Sequence, residues 1–237
     1  METIHSYRHI IDSETAKLFE NALKETIKKS PPKKLGFIGL ILDYNKKEHH
    51  DLDVLIFPSK EAKIGEAIIE LTELYAKIEK KLKEKNERYY LATSARKITQ
   101  ELTYYLAGLE EGTASLIPIH SLFFPDYKSF KKFNPSNFEK EIKKSLITIH
   151  GKFDIIKEVK NDIPQEKLEP YFVILDFELN ARIKTFPRHN IRASAESLFT
   201  YLKDKYGIKV KEKIHNIDEI ENEFKILMKK LDEITYS

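Results

Sequence analysis

The 237 residues carry 41 lysines plus arginines against 38 aspartates plus glutamates, a formal net charge of +3, and 41% of them are hydrophobic. That apolar content suffices for one large or two modest cores and excludes a disordered tail. The near balance of charge argues against a dedicated nucleic-acid binder while leaving room for a local basic groove. There is no cysteine, which excludes disulfide frameworks, thiolate zinc sites and cysteine nucleophiles together.

The opening METIHSYRHIIDSE has no apolar signal core, and no run approaches the length of a membrane span. The expectation is a soluble cytoplasmic protein without a membrane partner. Abundant Lys, Glu and Ile, with no Trp and 2 Met, resemble the usage of heat-adapted, thermophile proteomes.

In chain order, Ser13 is the expected N-cap of a helix whose inward stripe is Ala16, Phe19, Leu23 and Ile27, and Pro31-Pro32 stops it. Residues 34–44 read as a buried strand containing Gly36 and Gly39, a residue that weakens strands unless another group approaches the backbone closely. A polar turn over 45–50 leads to a second strand over 51–57. Residues 61–86 show helical spacing through Ile64, Ile68, Leu71, Leu74, Tyr75 and Ile78.

A third strand is expected over 87–95, a helix over 97–109, and a fourth strand over 113–124. Pro118 favours an edge or bulge position for that fourth strand, because it lacks a ladder donor. Helices follow over 127–133 and 137–147, then an extended piece over 147–156 holding His150-Gly151. The remainder is expected to be helical over 167–186, 190–206 and 217–234, with breaks at Pro187 and Gly207. The pattern predicts an α+β class: a mixed-sheet domain over 1–162 followed by a C-terminal helical bundle over 163–237.

The stretch with chemical content is Asp51-Leu52-Asp53, followed at once by Val54-Leu55-Ile56-Phe57. Alternation along a strand puts positions i and i+2 on one face, so the two carboxylates project side by side at the start of a buried strand. Paired carboxylates in that setting can hold a divalent cation. His49 and His50 extend the run to a mixed imidazole and carboxylate set, although exposed turn residues are the plainer account of them. The pairs Tyr89-Tyr90 and Tyr104-Tyr105 can stack a base, but aromatic residues in such elements are more often core.

Helix, strand with a glycine, polar turn and then Asp-Leu-Asp before an apolar run resembles the nucleotidyltransferase superfamily typified by DNA polymerase β, especially its small kanamycin-nucleotidyltransferase-like members. Eleven residues separate Gly39 from Asp51, close to that family's spacing. Ile119 to Asp126, the helix around Phe138 to Ile147 and Ile149-His150-Gly151 are similar to the family's downstream order of parts, so the resemblance covers about 150 residues.

The resemblance implies a nucleotidyltransferase-like fold and transfer of a nucleoside monophosphate, most simply AMP, from a nucleoside triphosphate to a hydroxyl on a small molecule, a protein or an RNA end. It implies Mg²⁺ or Mn²⁺ as cofactor, Asp51 and Asp53 as catalytic metal ligands, and Gly39 with Leu40 on the phosphate side. Two positions depart from the family pattern. Leu40 stands where the family has Gly or Ser, and His120 occupies the place of a third strand-borne carboxylate. An imidazole suits a softer ion than magnesium, or a pocket kept without turnover, and Asp43, Glu101 and Asp126 are the nearby acids that can substitute.

Arg182, Lys184, Arg188, His189 and Arg192 form a basic patch. Facing Asp51, this patch would hold phosphate through Arg182 and Arg188; otherwise it is a solvated helix junction. Six residues lie between Arg182 and His189, within the spacing of HEPN ribonucleases, though Pro187 interrupts the helix that should carry both. Three functions therefore remain open: a nucleotidyltransferase, a binding protein that keeps its fold without turnover, and a HEPN-like ribonuclease.

Overall fold

The computed structural model describes residues 11–43, 45–49, 51–87, 89–95, 115–133, 138–159, 163–182, 200–209, 211 and 217–237. A two-residue strand β1 (Ile11–Asp12) pairs antiparallel with β3 (Glu48–His49), and helix α1 (Ser13–Lys29) follows β1 directly. The N-cap of α1 is Asp12 rather than Ser13: the Thr15 N–H donates to Asp12 Oδ1 at 2.7 Å, and that bond holds the carboxyl below its ordinary pKa. Ser13 instead donates to the Lys47 carbonyl at 3.2 Å and ties the helix start to the turn before β3. The expected stripe of Ala16, Phe19, Leu23 and Ile27 is buried.

The main sheet has five strands in the order β5-β6-β4-β2-β7. They are β2 (Leu35–Ile41), β4 (Leu52–Pro58), β5 (Tyr89–Ala95), β6 (Ser115–Phe123) and β7 (Leu146–His150). The pairs β2–β4 and β2–β7 are antiparallel, whereas β4–β6 and β5–β6 are parallel, so the sheet is mixed. β6 is an interior strand, against the expectation from Pro118. The ladder between β6 and β4 begins at Ile119, so at Pro118 only β5 is paired and the missing donor costs no bond on the β4 side.

Helix α2 (Ile64–Lys85) joins β4 to β5. Helix α3 (Tyr127–Phe133) has the predicted bounds, while α4 (Phe138–Ser145) stops two residues early because Leu146 to His150 extend beside β2 as β7. A short 3-10 helix covers Phe153–Glu158 and replaces the last four residues of the extended segment expected over 147–156. Helix α5 (Gln165–Arg182) is followed by helical residues 200–206 and by α6 (Ile217–Tyr236). The helices expected over 97–109, 183–186 and 190–199 lie outside the described residues.

Strand alternation divides the apolar residues between two faces. Ile38, Leu40, Leu52, Val54, Ile56, Ile117, Ile119 and Phe123 meet α1, α2, α5 and α6 in one large core. Phe37, Leu55, Phe57, Leu122 and Phe124 face a smaller aromatic cluster closed by Phe130, Ile142 and Ile156 from α3, α4 and the 3-10 helix. The C-terminal helices thus share a core with the sheet: Phe172 of α5 meets Phe123 of β6 with ring centroids 6.3 Å apart.

Two carboxylates fasten α2. Glu70 accepts the backbone N–H groups of Lys33, Lys34 and Leu35 at 2.6–3.0 Å, fixing the start of β2. At its own start α2 has Lys63 as N-cap, which offers no side-chain acceptor. Asp232 of α6 fills that role, accepting from the Gly65 N–H at 2.8 Å, the Glu66 N–H at 3.2 Å and the Tyr171 hydroxyl at 2.9 Å. Tyr236 accepts from the Ile64 N–H at 3.1 Å, and burial raises its phenol to about 12. A Cβ on Gly65 would stand 2.6 Å from the Met228 carbonyl oxygen, so the close approach of α6 requires glycine there.

Burial pushes the Asp232 carboxyl above its ordinary pKa, against the three hydrogen bonds it accepts. The folded chain therefore holds this proton more tightly than the unfolded chain. Stability from this group falls as pH rises from the ordinary carboxyl range through the raised value. Asp232→Ala, which strands the Gly65 and Glu66 N–H groups and leaves the Tyr171 hydroxyl only Thr235 Oγ1 at 3.1 Å, is expected to cost about 2–4 kcal/mol in urea denaturation. Asp232→Asn keeps one oxygen acceptor and loses less. Its deficit against wild type narrows from about pH 4 to about pH 7, since only the wild type loses stability there by ionising at this position; a deficit that does not change with pH would sink this account.

Candidate metal centre

The two residues that open β4 set the site. Asp51 immediately precedes the strand and Asp53 is its second residue, on the face shared by Leu55 and Phe57. In the parallel ladder with β6, Asp53 lies opposite His120, whose neighbour two positions on, Leu122, faces the same aromatic cluster. One row thus crosses the sheet as Ser94, His120, Asp53, Ile41 and Leu146.

His120 Nδ1 lies 2.7 Å from Asp51 Oδ2 and 3.6 Å from Asp53 Oδ1. One ligand atom from each of the three residues falls within 4.8 Å of the others. The side chains retain 24% exposure at His120, 31% at Asp51 and 35% at Asp53, so the cluster is framed by protein on one side and open to solvent on the other. On the reverse face the next residue, Ser121, shares a hydrogen bond of 2.7 Å with the Tyr75 hydroxyl of α2. Burial raises the Tyr75 phenol above its ordinary pKa, so it stays protonated and holds β6 in place behind His120.

The donor set fits a divalent cation. Ligand atoms about 2.1 Å from an ion in octahedral geometry stand about 3 Å from one another, and the separations seen here bracket that value. Two carboxylate oxygens with one imidazole nitrogen suit an ion that accepts both, such as Mn²⁺, better than Mg²⁺. Among the described residues this is the one group of three histidines or acids that converges in this way.

Asp43 is occupied elsewhere: its Oδ1 accepts from the Asn45 backbone N–H at 3.0 Å and its side-chain amide at 3.1 Å, shaping the turn after β2. Asp126 is buried and accepts the Ser129 N–H at 2.6 Å, capping α3. His49 sits in β3, in the separate two-stranded ribbon.

Gly39 does not form a turn. It lies inside β2, paired with Leu55 on one side and Thr148 on the other, and a Cβ there would stand 2.5 Å from Leu146 Cδ1. Its role in the structure is to admit Leu146 over the sheet beside the acidic row. Leu40, expected on the phosphate side, is fully buried on the opposite face next to Val54, because each step along a strand reverses the side chain. Arg182 ends α5; Glu101, His50, Lys184, Arg188, His189, Arg192, Tyr104 and Tyr105 lie outside the described residues.

Sequence reasoning missed Ile41 and Leu146, which continue the row beyond Asp53. Ile41 was accessible through its two-residue spacing from Gly39, but Leu146 was hidden inside an expected helix. The chain matches no protein-family model, no curated protein and no solved structure.

Gly39→Ala is expected to displace Leu146 and cost about 1–2 kcal/mol in thermal or urea unfolding. Binding of Mn²⁺, followed by calorimetry on the folded variant, should stay within about twofold of wild type, because none of the three candidate donors lies on β2.

Proposed function

We propose that the protein is a divalent-metal-dependent nucleotidyltransferase with an atypical Asp51–Asp53–His120 donor set, favouring Mn²⁺ over Mg²⁺. The observation that carries the proposal is the convergence of an Asp-x-Asp pair at the start of one buried strand with a histidine of the adjacent parallel strand. The resemblance to the polymerase β superfamily supplies the reaction class. When bound, the ion would supply charge neutralisation for a triphosphate and its pyrophosphate leaving group.

In that reaction the acceptor hydroxyl oxygen bonds to the α-phosphorus and the bond from phosphorus to the pyrophosphate oxygen breaks; the hydroxyl proton passes to water. Asp51 and Asp53 hold the negative side of the site. His120 takes the position of a third carboxylate without its charge, so the donor set has one negative charge fewer than three acids would supply. Ile41 and Leu146 exclude water along one side of the row. The open edge of the cluster leaves the substrate phosphates room to complete the coordination.

A second reading, the same pocket binding nucleotide without turnover, is favoured by the lack of a third carboxylate in the cluster among the described residues.

Asp53→Asn is expected to reduce Mn²⁺ affinity by more than the about 10–100-fold typical of outer-shell losses, and to abolish transfer of labelled nucleotide while leaving the melting temperature unchanged. Unchanged Mn²⁺ affinity in that variant overturns the metal centre. His120→Asp completes a three-carboxylate set, and the expected result is a shift of preference from Mn²⁺ toward Mg²⁺, read by titration calorimetry with each ion. Nucleotide affinity without label transfer in the wild type would select the binding protein.

A further inference from the structure

The nearly neutral chain keeps its charges sorted. Between Tyr127 and Lys157 there are eight lysines and three acidic residues. The lysine-rich stretch is the layer of α3, α4 and the 3-10 helix that covers the sheet face bearing Asp53 and His120. Its apolar residues Phe130, Ile142 and Ile156 point into the aromatic cluster, and Lys128, Lys131, Lys132, Lys143, Lys144 and Lys152 are exposed on its outer side.

This layer reaches the metal centre. The Leu42 N–H donates to the Ser145 carbonyl at 2.9 Å, joining the end of α4 to the end of β2, and Ile41 lies between Leu146 and Asp53 in one row. Leu146 is two strands from Asp53, about 10 Å at ordinary strand spacing. Lys143 and Lys144 therefore stand near the rim of the site. Aromatic rings are interleaved with the charge: Lys131 lies 5.6 Å from the Tyr127 ring centroid and Lys143 lies 5.5 Å from that of Phe153.

We propose that the outer side of this layer binds the phosphodiester backbone of a single-stranded nucleic acid and leads its end to the Asp51–Asp53–His120 cluster, making a nucleic-acid hydroxyl the acceptor. Lysines in a row neutralise successive phosphates, and half-buried aromatic edges accept bases without regard to sequence. An anionic membrane is the poorer match. Among the described residues the exposed large apolar side chains are Ile226, Ile234 and Tyr236, all on α6, so the described side chains of the basic layer offer no apolar wedge to insert.

The acceptor assignment rests on the transferase reading; the binding surface does not, and the test separates them. Anisotropy of a labelled single-stranded RNA of about 12 nucleotides, and of its DNA counterpart, is measured in chelator at about 50 and 200 mM salt. Binding of either strand that weakens steeply with salt is expected. Lys128→Glu/Lys144→Glu/Lys152→Glu should weaken it at least about tenfold and lower the salt slope by about 2. A control of equal charge change on α1 and α2, Lys28→Glu/Lys77→Glu/Lys80→Glu, should weaken it less than about threefold.

Equal loss in both triple variants, or no binding by the wild type, overturns the surface. So does preference for phosphatidylserine vesicles over the oligonucleotides. If the oligonucleotide binds but label from the nucleoside triphosphate goes elsewhere, the acceptor assignment falls while the surface stands. If Mn²⁺ affinity survives Asp53→Asn, the metal centre falls and the surface again stands.

Discussion

The register of β4 is the constraint on which the rest depends. This strand is paired on both sides, parallel to β6 and antiparallel to β2, and its side chains are buried on both faces. A slip of one residue would carry Leu55 and Phe57 into the helical core and Val54 and Ile56 into the aromatic cluster. It would also turn Asp53 away from His120. Packing energy spread over seven residues thus determines where two carboxylates stand, and no separate device is needed to aim them. The glycine opposite, Gly39, tightens the same arrangement by letting Leu146 close over the neighbouring strand.

Much of this was legible in the sequence, because the signals are short-range. Alternation located both strands and put Asp51 and Asp53 on one face; helical spacing found the buried stripes of α1 and α2. The position of His120 was recognised only as the occupant of a third place, and what brings it beside Asp53 is a ladder between strands over 60 residues apart, which no local pattern encodes. Pro118 misled because the rule for proline concerns each ladder separately, and β6 runs past the start of β4. Leu146 misled because a sheet edge overrode the helical pattern that ran into it, whereas the extended reading of the residues after Ile147 agrees with β7. The N-cap moved by one residue because Asp12 and Ser13 are both good caps, and Ser13 found a partner across a turn.

The charge pattern shows why whole-chain totals say little about surfaces. Lysines on α1 and α2 meet carboxylates, as in Lys24–Glu20, Lys83–Glu79 and Lys81–Glu25, so those helices are lysine-rich without being strongly basic. The layer over the aromatic cluster has few acids, and two of its lysines, Lys131 and Lys143, stand near rings. A near-neutral sum therefore hides a layer with a local excess of lysine. The acidic cluster lies at the margin of the basic side, where an anionic chain and a cation would meet.

The cap on α2 bears on how the chain reaches this state. The groups that complete the helix start, Asp232 and Tyr236, are 166 to 172 residues from the amides they satisfy. Loop-closure entropy must be overcome before those bonds form, so they belong to the late part of folding, after β4 and the body of α2 have associated locally. Until then the turn of helix directly following β4 holds exposed amides and frays. The downstream end of β4 is held by its ladder to β2, with Leu35 opposite Pro58, so the strand beside the two aspartates is fixed by near neighbours while the helix that follows it depends on the far end of the chain.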